Sequence, residues 1–384
     1  MPPVFTGPVP LARLRLVVPA PSGSSVAPPV APSWLVHAHF GGGMSVAAWG
    51  DAVYSVGTDT WLRVRTASHG TPLHAACLGR LPLSCVVLLP LPAGAQPGSR
   101  PSAVVGSLDG FITIVSVDYG VTRAHWGAHD DAVSALAIAG GAPGGPRVVS
   151  AGWDGNLKVW DVSHARGPLA TVTPPTSANG PTSPLVDLPG ADGRLWSLCC
   201  DDAGVRLLAG TATGAVACYD SRQHPSSGPA WHVTATGGGG VCALACDPTA
   251  SCCLAAGEDG LLRLLDARRA GAQVASVDVG HGMPCRCVAM AGGTVLAGTD
   301  GGSLVAWDAA AVAPGLVLAP PVSGGTRPGV TPWHPFGGPA GDALCGVAVS
   351  GDSHSPGAAV VVALSASGAM RGYAVPHGWD THAA

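Results

Sequence analysis

Histidine, cysteine and carboxylate side chains are the groups that could hold a metal or move a proton, and in this sequence they do not converge. The 384 residues include 14 histidines, 12 cysteines and 23 carboxylates, with Glu258 the sole glutamate. His37 and His39 alternate along a strand-like run, and Cys285 and Cys287 would share one face of a strand, yet two thiols leave a tetrahedral metal site half filled. No two cysteines have the C-x-x-C spacing of a zinc or redox motif. The sequence holds no G-x-S-x-G elbow, no phosphate loop ending in G-K-[ST] and no H-E-x-x-H. The glycine run at 237–240 lacks the strand-to-helix context that would let it cradle phosphate. Most carboxylates fall where turns are expected. The sequence therefore assigns no catalytic residue, no cofactor and no metal.

What must position these residues follows from composition. Hydrophobic residues make up 47% of the chain and charged residues 11%, enough for a sizeable core, while 56 Gly and 36 Pro argue against long helices. The net charge of -4, with Lys158 the only lysine, provides no basic surface for nucleic acid or an anionic membrane. No apolar run approaches the roughly 18 to 20 residues of a spanning helix. Membrane contact would be indirect, through partners. The cysteines read as mostly buried thiols of a reducing compartment, so a cytoplasmic, monomeric protein is expected. Residues 1–32 are rich in Pro, Ala and Ser and contain no acidic residue, a composition that a transit peptide and a disordered leader share; the leader is the favoured reading.

A repeat organises the remainder. A strand-like run ends in a small residue, a tight turn follows, and a second alternating run ends near an aromatic: VYSVGTDTWLRV (53–64), AVVGSLDGFITIVSVD (103–118) and VVSAGWDGNLKVWD (148–161). LLAGTATGAVACYD (207–220), CLAAGEDGLLRLLD (253–266), VLAGTDGGSLVAWD (295–308) and a weaker VVALSASGAMRGYAV (361–375) continue it. Asp-Gly turns tolerate the backbone such hairpins require. Apolar runs before them, such as AVSALAI (132–138) and VCALAC (241–246), supply an inner strand. The expected fold is all-β, a seven-bladed propeller over 33–376, with a tail at 377–384. SWLVHAHF (33–40) is placed as the outer strand that closes blade 7. Longer spacings between turns put Pro/Gly-rich insertion loops at 91–102, 172–193 and 319–341.

The segments GAHDDAVSALAI (127–138) and SAGWDGNLKVWD (150–161) resemble a WD40 repeat. The resemblance implies a hydrogen-bonded series of His129, Ser150, Asp154 and Trp160, a scaffold device. Turn aspartates recur at Asp59, Asp109, Asp259 and Asp300, with Thr213 and Ser367 in their place in blades 4 and 7. More narrowly, residues 80–161 are similar to the C-terminal propeller of BEACH-domain proteins, which implies a non-enzymatic scaffold in receptor signalling or membrane trafficking. No segment of the 384 residues is left over to hold a BEACH domain, so the chain is expected to be either a stand-alone propeller or a fragment of a longer gene product. WD40 hydrolases exist, and that reading would require carboxylates or histidines converging in the central channel.

In a propeller the residue before each turn aspartate lies on the rim where the inner turns cluster. Here those residues are Thr58, Leu108, Trp153, Ala212, Glu258, Thr299 and Ala366. Leu108 and Trp153, with Trp126 in the loop entering blade 3, form the candidate partner-binding patch. CYDSR (218–222) and LLDAR (264–268) resemble the boxes by which some WD40 proteins dock on the adaptor of a cullin-4 ubiquitin ligase. That alternative uses Arg222 and Arg268 on the opposite rim.

Overall fold

The structure, a computed structural model, describes residues 14–16, 31–92, 94–96, 98–140, 145–162, 186–189, 193–223, 227–246, 251–279, 282–291, 294–308, 333–336, 341–350, 360–374 and 381–383. The repeated hairpins and the apolar runs before them fold into seven four-stranded antiparallel sheets. Blade 1 runs outward as Gly43–Trp49, Ala52–Gly57, Trp61–Thr66 and Pro72–Cys77. Blades 2 to 6 repeat that order from inner strands Leu83–Leu88, Val133–Ala139, Leu195–Cys200, Val241–Cys246 and Cys285–Ala291. Neighbouring inner strands pack against one another all the way round. The fold is a seven-bladed β-propeller, and the described residues contain only one short helical turn, Ala267–Arg269.

The pattern of side chains explains the arrangement. Second strands such as Ala52–Gly57 and Ala103–Ser107 are buried at every residue, because both faces of each sheet are covered by the adjacent blades. Outer strands such as Trp231–Thr234 alternate, because one face reaches water. Between the blades lie seven apolar clusters, one at each seam.

Blade 7 contains Leu344–Ser350, Val360–Ser365 and Ala369–Ala374, and its fourth strand comes from the other end of the chain, Trp34–His37. Trp34 lies opposite Gly372 in the register, where a Cβ would collide with the indole. Its Nε1–H donates to the carbonyl of Ala67 in blade 1 at 2.7 Å. One side chain thus ties the closing strand to both blades of the seam.

One expectation needs revision here. Val186–Pro189 and Trp333–Phe336, which fall in the stretches read as insertion loops, are the outer strands of blades 3 and 6. An outer strand has one free edge, so Pro189 and Pro335 are tolerated. Within the stretch read as a leader, Leu14–Leu16 pairs with Thr381–Ala383 of the tail; the rest of 1–30 lies outside the described residues.

In blade 3 the polar series is complete. His129 Nδ1–H donates to Asp154 at 3.0 Å, and its Nε2 lies 2.8 Å from Ser150 Oγ, which accepts from Trp160 Nε1–H at 2.9 Å. Trp160 is buried edge-on to Trp126. Blade 1 keeps three members in His39, Ser55 and Asp59, with both imidazole contacts at 2.9 Å. Arg65 occupies the place of the tryptophan. Elsewhere an arginine of the third strand grips a carboxylate at the turn: Arg63 on Asp59 at 2.5 Å, Arg263 on Asp259 at 2.6 Å, and Arg371 on Asp342 at 3.0 Å. These pairs secure the turns where no complete series exists, and the Asp-x-x-x-Arg spacing of the first two was open to view in the sequence.

Trp160→Ala removes a buried ring and takes from the Ser150 hydroxyl the donor it accepts from, leaving it only His129, so a loss of about 3–5 kcal/mol is expected in urea unfolding. Trp34→Ala should cost about 2–4 kcal/mol by the same measurement, because it opens the closing seam.

Acid sensitivity follows from the same groups. Burial holds the His39 imidazole below its ordinary 6.5, against the opposing pull of its hydrogen bond to Asp59. The unfolded chain therefore takes up this proton first, so the contribution is complete above 6.5 and declines as the pH falls below it. Burial pushes the carboxyls of Asp59 and Asp154 up, but hydrogen bonds from His39, Arg63 and the Asn156 amide outweigh it, and both end below 3.8. Their contribution is present above that value and disappears as pH falls through the lowered folded-state values. Thermal unfolding followed from about pH 8 to pH 5 should show a decline beginning near 6.5 that His39→Gln abolishes.

Candidate protein-interaction site

In every blade the inner strand's register slips by one residue just after it begins. The slip leaves one bulged residue at the turn end: Met44, Ser84, Ser134, Trp196, Cys242, Arg286 and Cys345 in chain order. Beside each, the residue before the hairpin turn donates its amide to the chain entering the same blade, as Leu108 does to Pro82 and Trp153 to Ala132. The shared bond identifies equivalent rim positions without reference to sequence.

By that criterion blade 6 is displaced by one. Asp300, not Thr299, makes the rim bond, to the carbonyl of Pro284. Asp300 is therefore not a turn aspartate, and Gly301 stands at that place. The hairpins are equally long, since Gly301 stands six residues before Trp307 as Asp154 does before Trp160; the aspartate of blade 6 simply lies one residue earlier in the turn. Asp59, Asp109 and Asp259 do occupy the turn, each accepting the amide two residues on, from Trp61, Phe111 and Leu261.

Leu108 and Trp153 are half-buried on this rim and belong to none of the seam clusters. One face of Trp153 is covered by the guanidinium of Arg194, 5.1 Å from the ring centre, a pairing that keeps the indole at the surface. Trp126 does not join them. It lies in the outer strand of blade 2, Val121–Gly127, 4% exposed and packed among Ile112, Leu136 and Trp160. The polar character of VTRAHWG disguised a half-wet outer strand as a loop.

Other residues at this end went unnoticed in the sequence. Trp196 is the bulged residue of blade 4, and a Cβ on Gly240 would strike its ring. The signal was a tryptophan where other blades carry smaller or flexible side chains. Phe40 and Trp61 are exposed beside the Asp59 turn, their amides bonded to its carboxylate at 3.1 and 3.3 Å, and Arg63 lies over both rings. With Leu81, 46% exposed, the turn end of blades 1 to 4 carries most of the large exposed apolar side chains of that rim.

Blades 5 and 6 differ in character. Arg286 reaches Asp300 at 2.9 and 3.1 Å and Glu258 at 3.4 Å, while Glu258 also accepts the Gly240 amide at 3.0 Å. Its hydrogen bonds to Asp300 hold the Arg286 guanidinium more firmly protonated than usual. Two carboxylates sharing one guanidinium form a structural ion pair, with no free base or nucleophile.

At the opposite end Arg222 and Arg268 follow the third strands of blades 4 and 5. Each folds back on its own aspartate. Arg222 contacts Asp220 at 2.9 and 2.6 Å, and Arg268 contacts Asp266 at 3.3 Å, with both arginine amides bonded to the same carboxylates.

Residues 120–161 match the family model of the WD domain, G-beta repeat. The match spans the outer strand of blade 2 and the first three strands of blade 3, the blade in which the polar series is complete.

The two tryptophans separate cleanly in a stability measurement. Trp126→Ala should cost about 3–5 kcal/mol, whereas Trp153→Ala should stay within about 1 kcal/mol of the wild type in the same urea titration.

Proposed function

We propose that this propeller is a rigid, non-enzymatic platform for other proteins, and that a partner seats on the turn end of blades 2 and 3 with Leu108 and Trp153 as anchors. The observation that carries the reading is that these two apolar side chains stay on the rim outside every seam cluster, with Arg194 over the Trp153 ring. An aromatic with a cation at its face and polar neighbours around it has the make-up of an interface hot spot. The resemblance to BEACH-type propellers read from the sequence of residues 80–161 supports partners in receptor signalling or membrane trafficking as part of this proposal.

A second reading rests on the matching geometry of the two Asp-x-Arg boxes, which present Arg222 and Arg268 in like fashion on consecutive blades. It would make the chain a substrate receptor of a cullin-4 ligase.

Affinity purification of the tagged chain from its native cells, followed by mass spectrometry, distinguishes the two. Trafficking or receptor proteins that are recovered with wild type and fall at least tenfold with Trp153→Ala support the first reading. Ligase components lost only with the Arg222→Ala/Arg268→Ala double variant would overturn it in favour of the second.

A further inference from the structure

The seam between blades 4 and 5 is lined with thiols. On the blade 4 side Cys199 of the inner strand and Cys218 of the third strand both lie opposite Leu208, so the three side chains form one row across the sheet. On the blade 5 side Cys246 and Cys253 are themselves cross-strand partners, with Leu265 next in the row. The two rows face each other in one apolar cluster that holds Cys199, Cys218 and Cys253 buried, with Cys246 packed against it. The neighbouring thiols of Cys246 and Cys253 across the seam, with burial, push the Cys199 thiol up. All the cysteines are free thiols. Among the described residues no group of three metal-ligating side chains is placed to hold a metal ion, which leaves chemistry between the sulfurs themselves.

We propose that Cys199 and Cys246 are an oxidation site at which a small-molecule disulfide such as oxidised glutathione installs a covalent bridge between blades 4 and 5. Cys246 is the entry point. It is half-buried where Cys199 and Cys253 are buried, and its thiol donates to the carbonyl of Cys200 at 3.3 Å, at the edge of the cluster. Its sulfur, once deprotonated, attacks the oxidant and releases one glutathione as a thiolate. Cys199 then gives up its proton, and its sulfur displaces the second glutathione from Cys246. Two protein thiols become one disulfide, one glutathione disulfide becomes two glutathiones, and the two thiol protons end on them. Its two thiol neighbours, and burial, keep Cys199 protonated in the resting fold. The second step is therefore slow, and the cluster stays reduced unless oxidant persists. Cys253, facing the same pair, is a spectator in this scheme, because a bridge to Cys246 would only staple two strands that already pair.

The test uses the whole folded chain, incubated with oxidised glutathione under conditions in which circular dichroism is unchanged, then alkylated and digested with trypsin without reduction. The expected product links the peptide 195–206 to the peptide 223–263. It should persist in Cys200→Ala and Cys253→Ala, vanish in Cys246→Ala and in Cys199→Ala, and raise the unfolding temperature until dithiothreitol reverses it. A Cys246–Cys253 bridge, a glutathione adduct on Cys246 that goes no further, survival of the link in Cys246→Ala, or bridging only after urea unfolding would each overturn the proposal.

Discussion

Everything in this molecule depends on the closure of the ring. No blade can bury both of its faces alone, so each apolar second strand relies on the sheets on either side of it. The last face is covered only when Trp34–His37 pairs with Ala369–Ala374 and brings the two ends of the propeller together. Trp34 concentrates that dependence. It lies over the backbone at Gly372 and hydrogen-bonds into blade 1. The glycine there is a matter of space, since a side chain would expel the indole that holds the seam.

A ring closed in this way leaves a firm surface on which loops need not carry stability. The turn ends are secured by short polar devices that vary from blade to blade: a full histidine series in blade 3, three of its members in blade 1, and arginine–aspartate pairs in blades 1, 5 and 7. The rim positions beside them are thereby free to differ. Blades 2 to 4 use that freedom for apolar and aromatic groups, and blades 5 and 6 use it for an arginine held between two carboxylates. This division, with an apolar half and a charged half around one opening, suits a partner that is oriented as well as held.

Much of this was legible in the sequence, and where it was not the reason is physical. The hairpins announced themselves because a tight turn demands Gly or Asp and because doubly covered strands are apolar throughout. The complete series of His129, Ser150, Asp154 and Trp160 could be named in advance, since its residue types and spacing match the repeat. Outer strands were harder. Val186–Pro189 and Trp333–Phe336 are four residues each and contain proline, so neither periodicity nor composition set them apart from loops. Trp126 was misplaced for the same reason, its strand being polar on the side that meets water. Asp300 was misplaced because its Asp-Gly pair looks like the turn itself, whereas the register centres that hairpin one residue later, on Gly301. The partial series of His39 was hidden by a hairpin of different length, although Ser55 and Asp59 keep the spacing of Ser150 and Asp154.

The central claim is that the turn end of blades 2 and 3 is where this platform meets its partner. Hydrogen–deuterium exchange on the complex recovered from cells, compared with the free chain, tests it most directly. Protection centred on the turns that carry Leu108 and Trp153, with the opposite end unchanged, is the predicted result. Protection confined to the segments around Arg222 and Arg268, with the Leu108 and Trp153 turns exchanging as in the free chain, would contradict it.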